Sequence, residues 1–222
     1  FVKPVFDRRV FFKTCTNGSS ELMTNLSMSL VNALYNLQLM KIAGENGVAA
    51  YGAVMYVNFI FVATFLGYAI GCAPVISYHY GAGNHAELKN LYKKSMSIIL
   101  VWGVILFSAA QLLAPVLSKI FVGYNAGLYT MTLHGFRIYA IAFLIIGINI
   151  FGSSFFTALN NGLISAVISF LRTLMFQVIM VLTLPLWFGI NGIWSAISVA
   201  EALTLIMTTT FFVRQKDKYH YL

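Results

Sequence analysis

Acidic residues are scarce: 6 Asp and Glu stand against 14 Lys and Arg in 222 residues, and charged residues make up only 9% of the chain. Soluble domains carry about a quarter charged residues, so this chain cannot cover a globule with polar surface. Cysteine is nearly absent, and Cys15 and Cys72 fit no metal or redox spacing, so both read as small apolar residues. There is no His-Glu-x-x-His zinc pattern, no nucleophile elbow and no pair of intramembrane aspartates, which leaves an intramembrane enzyme the least favoured class. No secretory signal, low-complexity segment or soluble domain is visible. The first residue is Phe1 rather than Met, which reads as a fragment or a processed chain.

What is present is apolar: 59% hydrophobic residues and a mean hydropathy of +0.82. The chain reads as an all-α membrane protein whose first partner is the lipid bilayer. A net charge of +8 could point to nucleic acid, but the basic residues lie in loops between apolar spans, so nucleic acid is not the expected partner. Residues 1–13 read as an interfacial segment. Apolar spans follow at about 14–42, 48–77, 91–113, 135–158, 163–186 and 192–213, each long enough to cross a bilayer, with a tail at 214–222. This predicts a six-transmembrane-helix bundle.

Short connections at Glu45-Asn46-Gly47, Asn160-Asn161-Gly162 and Asn191-Gly192 carry residues that tolerate the left-handed conformation, so neighbouring helices are expected to be antiparallel. Lys3, Arg8, Arg9, Lys13, Lys89, Lys93, Lys94, Arg214, Lys216 and Lys218 then fall on one side, and Lys41, Lys119 and Arg137 on the other. By the excess of positive charge both termini are expected in the cytosol, for a protein of the cell membrane. The same side holds Gly67–Asn84, where the second span is expected to fail at Pro74 and give way to a glycine turn. Pro74 removes a backbone donor, Gly81 and Gly83 favour positive φ, and Asn84 with Glu87 forms a capping-box-like start for the next helix. These residues are expected to form a conformational loop.

Polar groups inside the spans carry whatever function there is. Glu21, Asn25, Asn32 and Asn36 fall within about 60° of one another on the first helix, a single stripe. Such a stripe must face protein or water. It reads either as a proton- or cation-responsive cavity lining or as a seam of interhelical hydrogen bonds. Arg172 and Glu201 each lie about ten residues into adjacent antiparallel spans, near the midplane, and could pair. That pair is open to a structural reading, in which it only removes two lone charges, and to a functional one. Trp194, Ser198, Glu201, Leu205 and Thr208 share a face. Asn149, Ser153 and Asn160, with Gly147 and Gly152 nearby, read as a helix-packing face. No metal site is expected.

Asn17–Asn25 (NGSSELMTN), the stretch GENGVAAYG at 44–52 and APVISYHYGAGN at 73–84 resemble the C-terminal half of a multidrug and toxic compound extrusion (MATE) transporter, in its DinF-like bacterial branch. The later stretch from Arg172 through Leu184-Pro185, Phe188–Trp194 and Ala200-Glu201 fits as well. The resemblance implies two related six-helix lobes around a V-shaped cavity, exchanging protons or sodium for cationic amphipathic drugs. This chain would be the second lobe, and its N-terminal lobe would be the missing partner. Glu21 matches the family's first-helix carboxylate of that lobe, which in some members helps bind the coupling cation. Those members add an aspartate in the lobe's fourth helix, and this sequence has none there. Asn25, Asn32 and Asn36 come from the stripe alone.

The leading expectation is therefore half of a proton- or sodium-coupled efflux antiporter for organic cations, with no cofactor beyond the coupling ion. A lipid-linked-sugar flippase of the same superfamily and a non-transporting membrane subunit are the rival readings.

Overall fold

Apolar runs with few breakers have one way to satisfy their backbone in a bilayer, which is to pair every amide within the segment as helix. The computed structural model describes residues 7–221, apart from the side chains of Ser20, Glu21 and Met23. Among the described residues there is helix and no strand. The helices are α1 (Arg8–Gly81), α2 (His85–Val122), α3 (Ala126–Tyr139), α4 (Phe143–Ala158), α5 (Gly162–Phe170) and α6 (Phe176–Tyr219). A 3-10 turn at Ala140–Ala142 joins α3 to α4, and a π-helical turn at Leu171–Met175 joins α5 to α6.

Two of these runs are folded in half. At Gly44 the backbone takes φ 64° and ψ −154°, and Tyr51 then lies on Tyr35, with ring centroids 5.0 Å apart and the planes stacked. The Tyr51 hydroxyl donates to Asn32 Oδ1 at 3.0 Å. On a straight helix those 19 positions would span about 28 Å, so the chain doubles back. Gly189, at φ 55° and ψ −134°, does the same inside α6. Among the described residues four continuous helical runs are long and apolar enough to cross a membrane. With the two folds they make six antiparallel arms: 8–43, 45–81, 85–122, 126–158, 162–188 and 190–219.

The arms are longer than the apolar spans suggested. Arg8–Lys13 is helix capped by the Asp7 side chain, which accepts from the amides of Arg9 and Val10, so it is the start of arm one rather than a separate segment. The expected segment at residues 1–6 lies outside the described residues. At the other end the helix continues through the expected tail to Tyr219. The second arm also passes through Pro74, to Gly81, as bilayer-spanning helices can when neighbours take up the freed groups. Pro74 and Gly81 are therefore helical, and the connecting loop is only Ala82, Gly83 and Asn84. Gly83 alone of these has positive φ, and the Asn84 side chain accepts from the Glu87 amide. The Glu87 carboxylate turns to Asn90 instead of closing the box.

Arm four is the hub. Phe143, Phe151, Phe155 and Phe156 are fully buried. Its glycines accept neighbours where a Cβ would collide: Gly135 against Trp194, Gly147 against Phe65, and Gly152 against Thr208. In lipid, such close approach supplies the packing that water supplies elsewhere. The first and last described residues lie at one end of the bundle: Gly162 abuts the backbone of Thr16 and Asn17, Ser77 Oγ donates to the Ala158 carbonyl, and the rings of His85 and His220 meet at 4.9 Å. Every described basic residue assigned to the termini side is at this end. At the far end His134 Nε2 and Asn191 Oδ1 bond at 2.8 Å, joining arms four and six.

Candidate functional site

Two charges buried at mid-bundle need each other. Arg172 stands about 15 Å along arm five from Gly162, on the π-helical turn, and its Nε donates to Glu201 Oε1 at 3.0 Å. The side chains are 13% and 1% exposed. The two positions are 29 residues apart in sequence, and the fold at Gly189 alone makes them neighbours. A π turn widens the helix by one residue and recurs at functional positions.

Arm four completes the cluster. Asn149 Nδ2 donates to Glu201 Oε2 at 2.7 Å and to the Glu201 backbone carbonyl at 2.9 Å. Both carboxylate oxygens are thus engaged, while Asn149 Oδ1 is buried without a partner. Tyr35 and Tyr51, stacked on each other, and Tyr139 on arm four are also buried. The Tyr35 hydroxyl is also without a hydrogen-bond partner. One turn along from Asn149, Ser153 Oγ lies 2.9 Å from Ser165 Oγ and 2.8 Å from Ser169 Oγ, and Thr157 Oγ1 lies 2.6 Å from Ser165 Oγ. Asn149, Ser153 and Thr157 form one column at i, i+4, i+8. Asn160, expected on that face, is instead in the turn at φ 59°.

The first-arm stripe divides. Asn32 is half-buried and bonded to Tyr51, whereas Asn25 and Asn36 are exposed on the chain's surface. Glu21 lies on the helical backbone of arm one, but its side chain is outside the described residues. The stripe thus contains the Asn32–Tyr51 contact and two amides, Asn25 and Asn36, at the surface of that face.

A cavity of about 590 Å³ lies elsewhere, at the termini end between the start of arm one and the end of arm four, beside Lys13, Asn17 and Asn160. It touches none of the charged cluster. Cys15 and Cys72 are free thiols, and no group of three His, Cys, Asp or Glu among the described residues could hold a metal.

The role of Asn149 was hidden in the sequence because amides at packing spacing are common. Depth was the available signal: Asn149 is nine residues from the end of α4 and Arg172 ten from the start of α5, so they sit at one level.

The MatE family's sequence pattern matches residues 22–183. No curated protein matches the chain. A MATE crystal structure in complex with MaL6 superposes with a TM-score of 0.89 at 19% identity, over 98% of this chain and 49% of that one. An outward-facing MATE multidrug resistance transporter of the MOP superfamily gives 0.86 at 20%, over 99% and 49%. The inward-facing form gives 0.85 at 19%, over 97% and 50%. At this identity the likeness is one of fold, and the chain spans about half the length of these structures.

Proposed function

The chain belongs to the MatE family, and on that premise we propose that it is the C-terminal lobe of a secondary transporter that exports amphipathic organic cations by alternating access. Proton or sodium entry drives the exchange, with Glu21 as the group that changes protonation or cation occupancy. The lobe works with a second, N-terminal lobe, in the cell membrane, with both termini in the cytosol.

The observation that carries this reading is the first arm. An apolar helix that leaves Asn25 and Asn36 exposed would be costly against lipid, so that face must meet protein or water. A cavity between two lobes provides both. The solved relatives are about twice as long as this chain, which leaves room for the second lobe. The asymmetry of basic residues between the two ends of the bundle supports the orientation.

The test is Glu21→Gln in the full-length transporter, expressed in cells and loaded with ethidium. Efflux should be lost, or should no longer follow the ion gradient, at undiminished protein level. Wild-type efflux from this variant would remove Glu21 from the mechanism.

A further inference from the structure

The charge that keeps open donors at the centre of this lobe is positive. Glu201 is 1% exposed, with Oε1 taken by Arg172 and Oε2 by Asn149. Its charge is already balanced by Arg172, and burial closes it to a second cation. Among the described side chains it is the only acidic one inside the arms, since Asp7, Glu45, Glu87 and Asp217 lie at their ends. Arg172 is the more accessible partner and uses one of its five N–H donors. Neither Nη group has a hydrogen-bond partner among the described residues.

We infer that Arg172 is a docking point for an oxyanion, a carboxylate or phosphate carried by the transported molecule. The inference rests on the transporter reading above and extends its substrates to acidic or zwitterionic amphiphiles. A guanidinium held through Nε presents both Nη groups as a planar fork, which matches two oxygens of a carboxylate or phosphate. At mid-membrane the low dielectric strengthens that contact, and a buried cation with open donors has few other ways to be satisfied. Glu201 and Asn149 then serve as the clamp that fixes the fork, and the π turn sets it out from the helix.

The experiment uses the full-length transporter in nanodiscs, with fluorescein as the anionic probe and ethidium as the cationic one, read by fluorescence anisotropy. Wild type should bind both. Arg172→Gln should weaken fluorescein about tenfold or more, the range of a hydrogen bond to a charged group, and leave ethidium within about twofold. Arg172→Lys, which keeps the charge and loses the fork, should fall between. If Arg172→Gln does not fold, Glu201→Gln decides: it keeps an acceptor for Nε and removes the counter-charge, so fluorescein should bind more tightly. A wild type that ignores fluorescein while binding and exporting ethidium overturns the oxyanion site and leaves the transporter reading standing. So does a Glu201→Gln variant with unchanged or weaker fluorescein binding. A wild type that neither binds nor exports either dye defeats both readings.

Discussion

Asn149 holds Glu201 twice, by the side chain at 2.7 Å and by the backbone carbonyl at 2.9 Å, so arm four fixes both the carboxylate and the helix that carries it. Asn149→Leu keeps the volume and leaves Oε2 buried without a donor. The expected cost is about 2–3 kcal/mol, which for a lobe of this size lowers the unfolding midpoint by roughly 4–12 °C. Thermal unfolding of the purified full-length transporter measures it. Combined with Glu201→Gln, the loss should be less than additive, because both variants break the same bond.

Gly44 supplies a backbone region that only glycine enters freely, and Gly44→Ala should cost about 1–3 kcal/mol by straining the fold between arms one and two. Gly71 is the control. It is exposed, within a helix, and has nothing near the position of a Cβ, so Gly71→Ala should be neutral or stabilise by about 0.5–1 kcal/mol. Equal unfolding midpoints for the two variants would contradict the account of the fold at Gly44.

Gly162 faces backbone rather than side chain, since an added Cβ would lie 2.6 Å from both Asn17 Cα and the Thr16 carbonyl oxygen. Neither atom can turn aside. Gly162→Ala should push arm five from arm one, cost about 1–3 kcal/mol, and speed proteolysis in the 157–162 turn. Digestion at the wild-type rate would mean that the arms slide apart freely.

Tyr221 is fully buried against Tyr92, Phe155 and Phe212, and its hydroxyl donates to the Phe212 carbonyl at 2.8 Å. Burial, and to a lesser degree Tyr92 and Tyr219, pushes its hydroxyl pKa up. The raised pKa means this contribution is intact below about pH 10, where an unfolded tyrosine begins to ionise, and fades above it. Tyr221→Phe should lose about 1 kcal/mol at neutral pH and show a shallower fall in stability from pH 10 upward. Tyr221→Ala should lose about 3–5 kcal/mol. A matching alkaline profile for wild type and Tyr221→Phe would count against the bond.

The sequence makes the arms legible through run length, and the level of Arg172 and Glu201 through counting from the span ends. The breaks between arms are less legible. Glu45-Asn46-Gly47 and Asn191-Gly192 look like turns, yet both are helical, and the reversals sit at Gly44 and Gly189. A positive-φ glycine can break a helix while its polar neighbours stay inside the next one. Pro74 misleads in the opposite sense: it removes one donor, but an arm packed among neighbours continues through it. The widened turn at Arg172 has no local signature, and whether an amide packs or clamps depends on which helix faces it.

The closure at Tyr221 also bears on biogenesis. Arms are made and inserted in order from the N-terminus, so the ring that completes the Tyr92, Phe155 and Phe212 box is the last of the lobe's described residues to emerge. Until then those aromatics, from arms three, four and six, have an open side. Closure of this box therefore follows synthesis of arm six. An insertion directly after residue 222 would begin one residue from a fully buried side chain, and a flexible spacer there would spare the box.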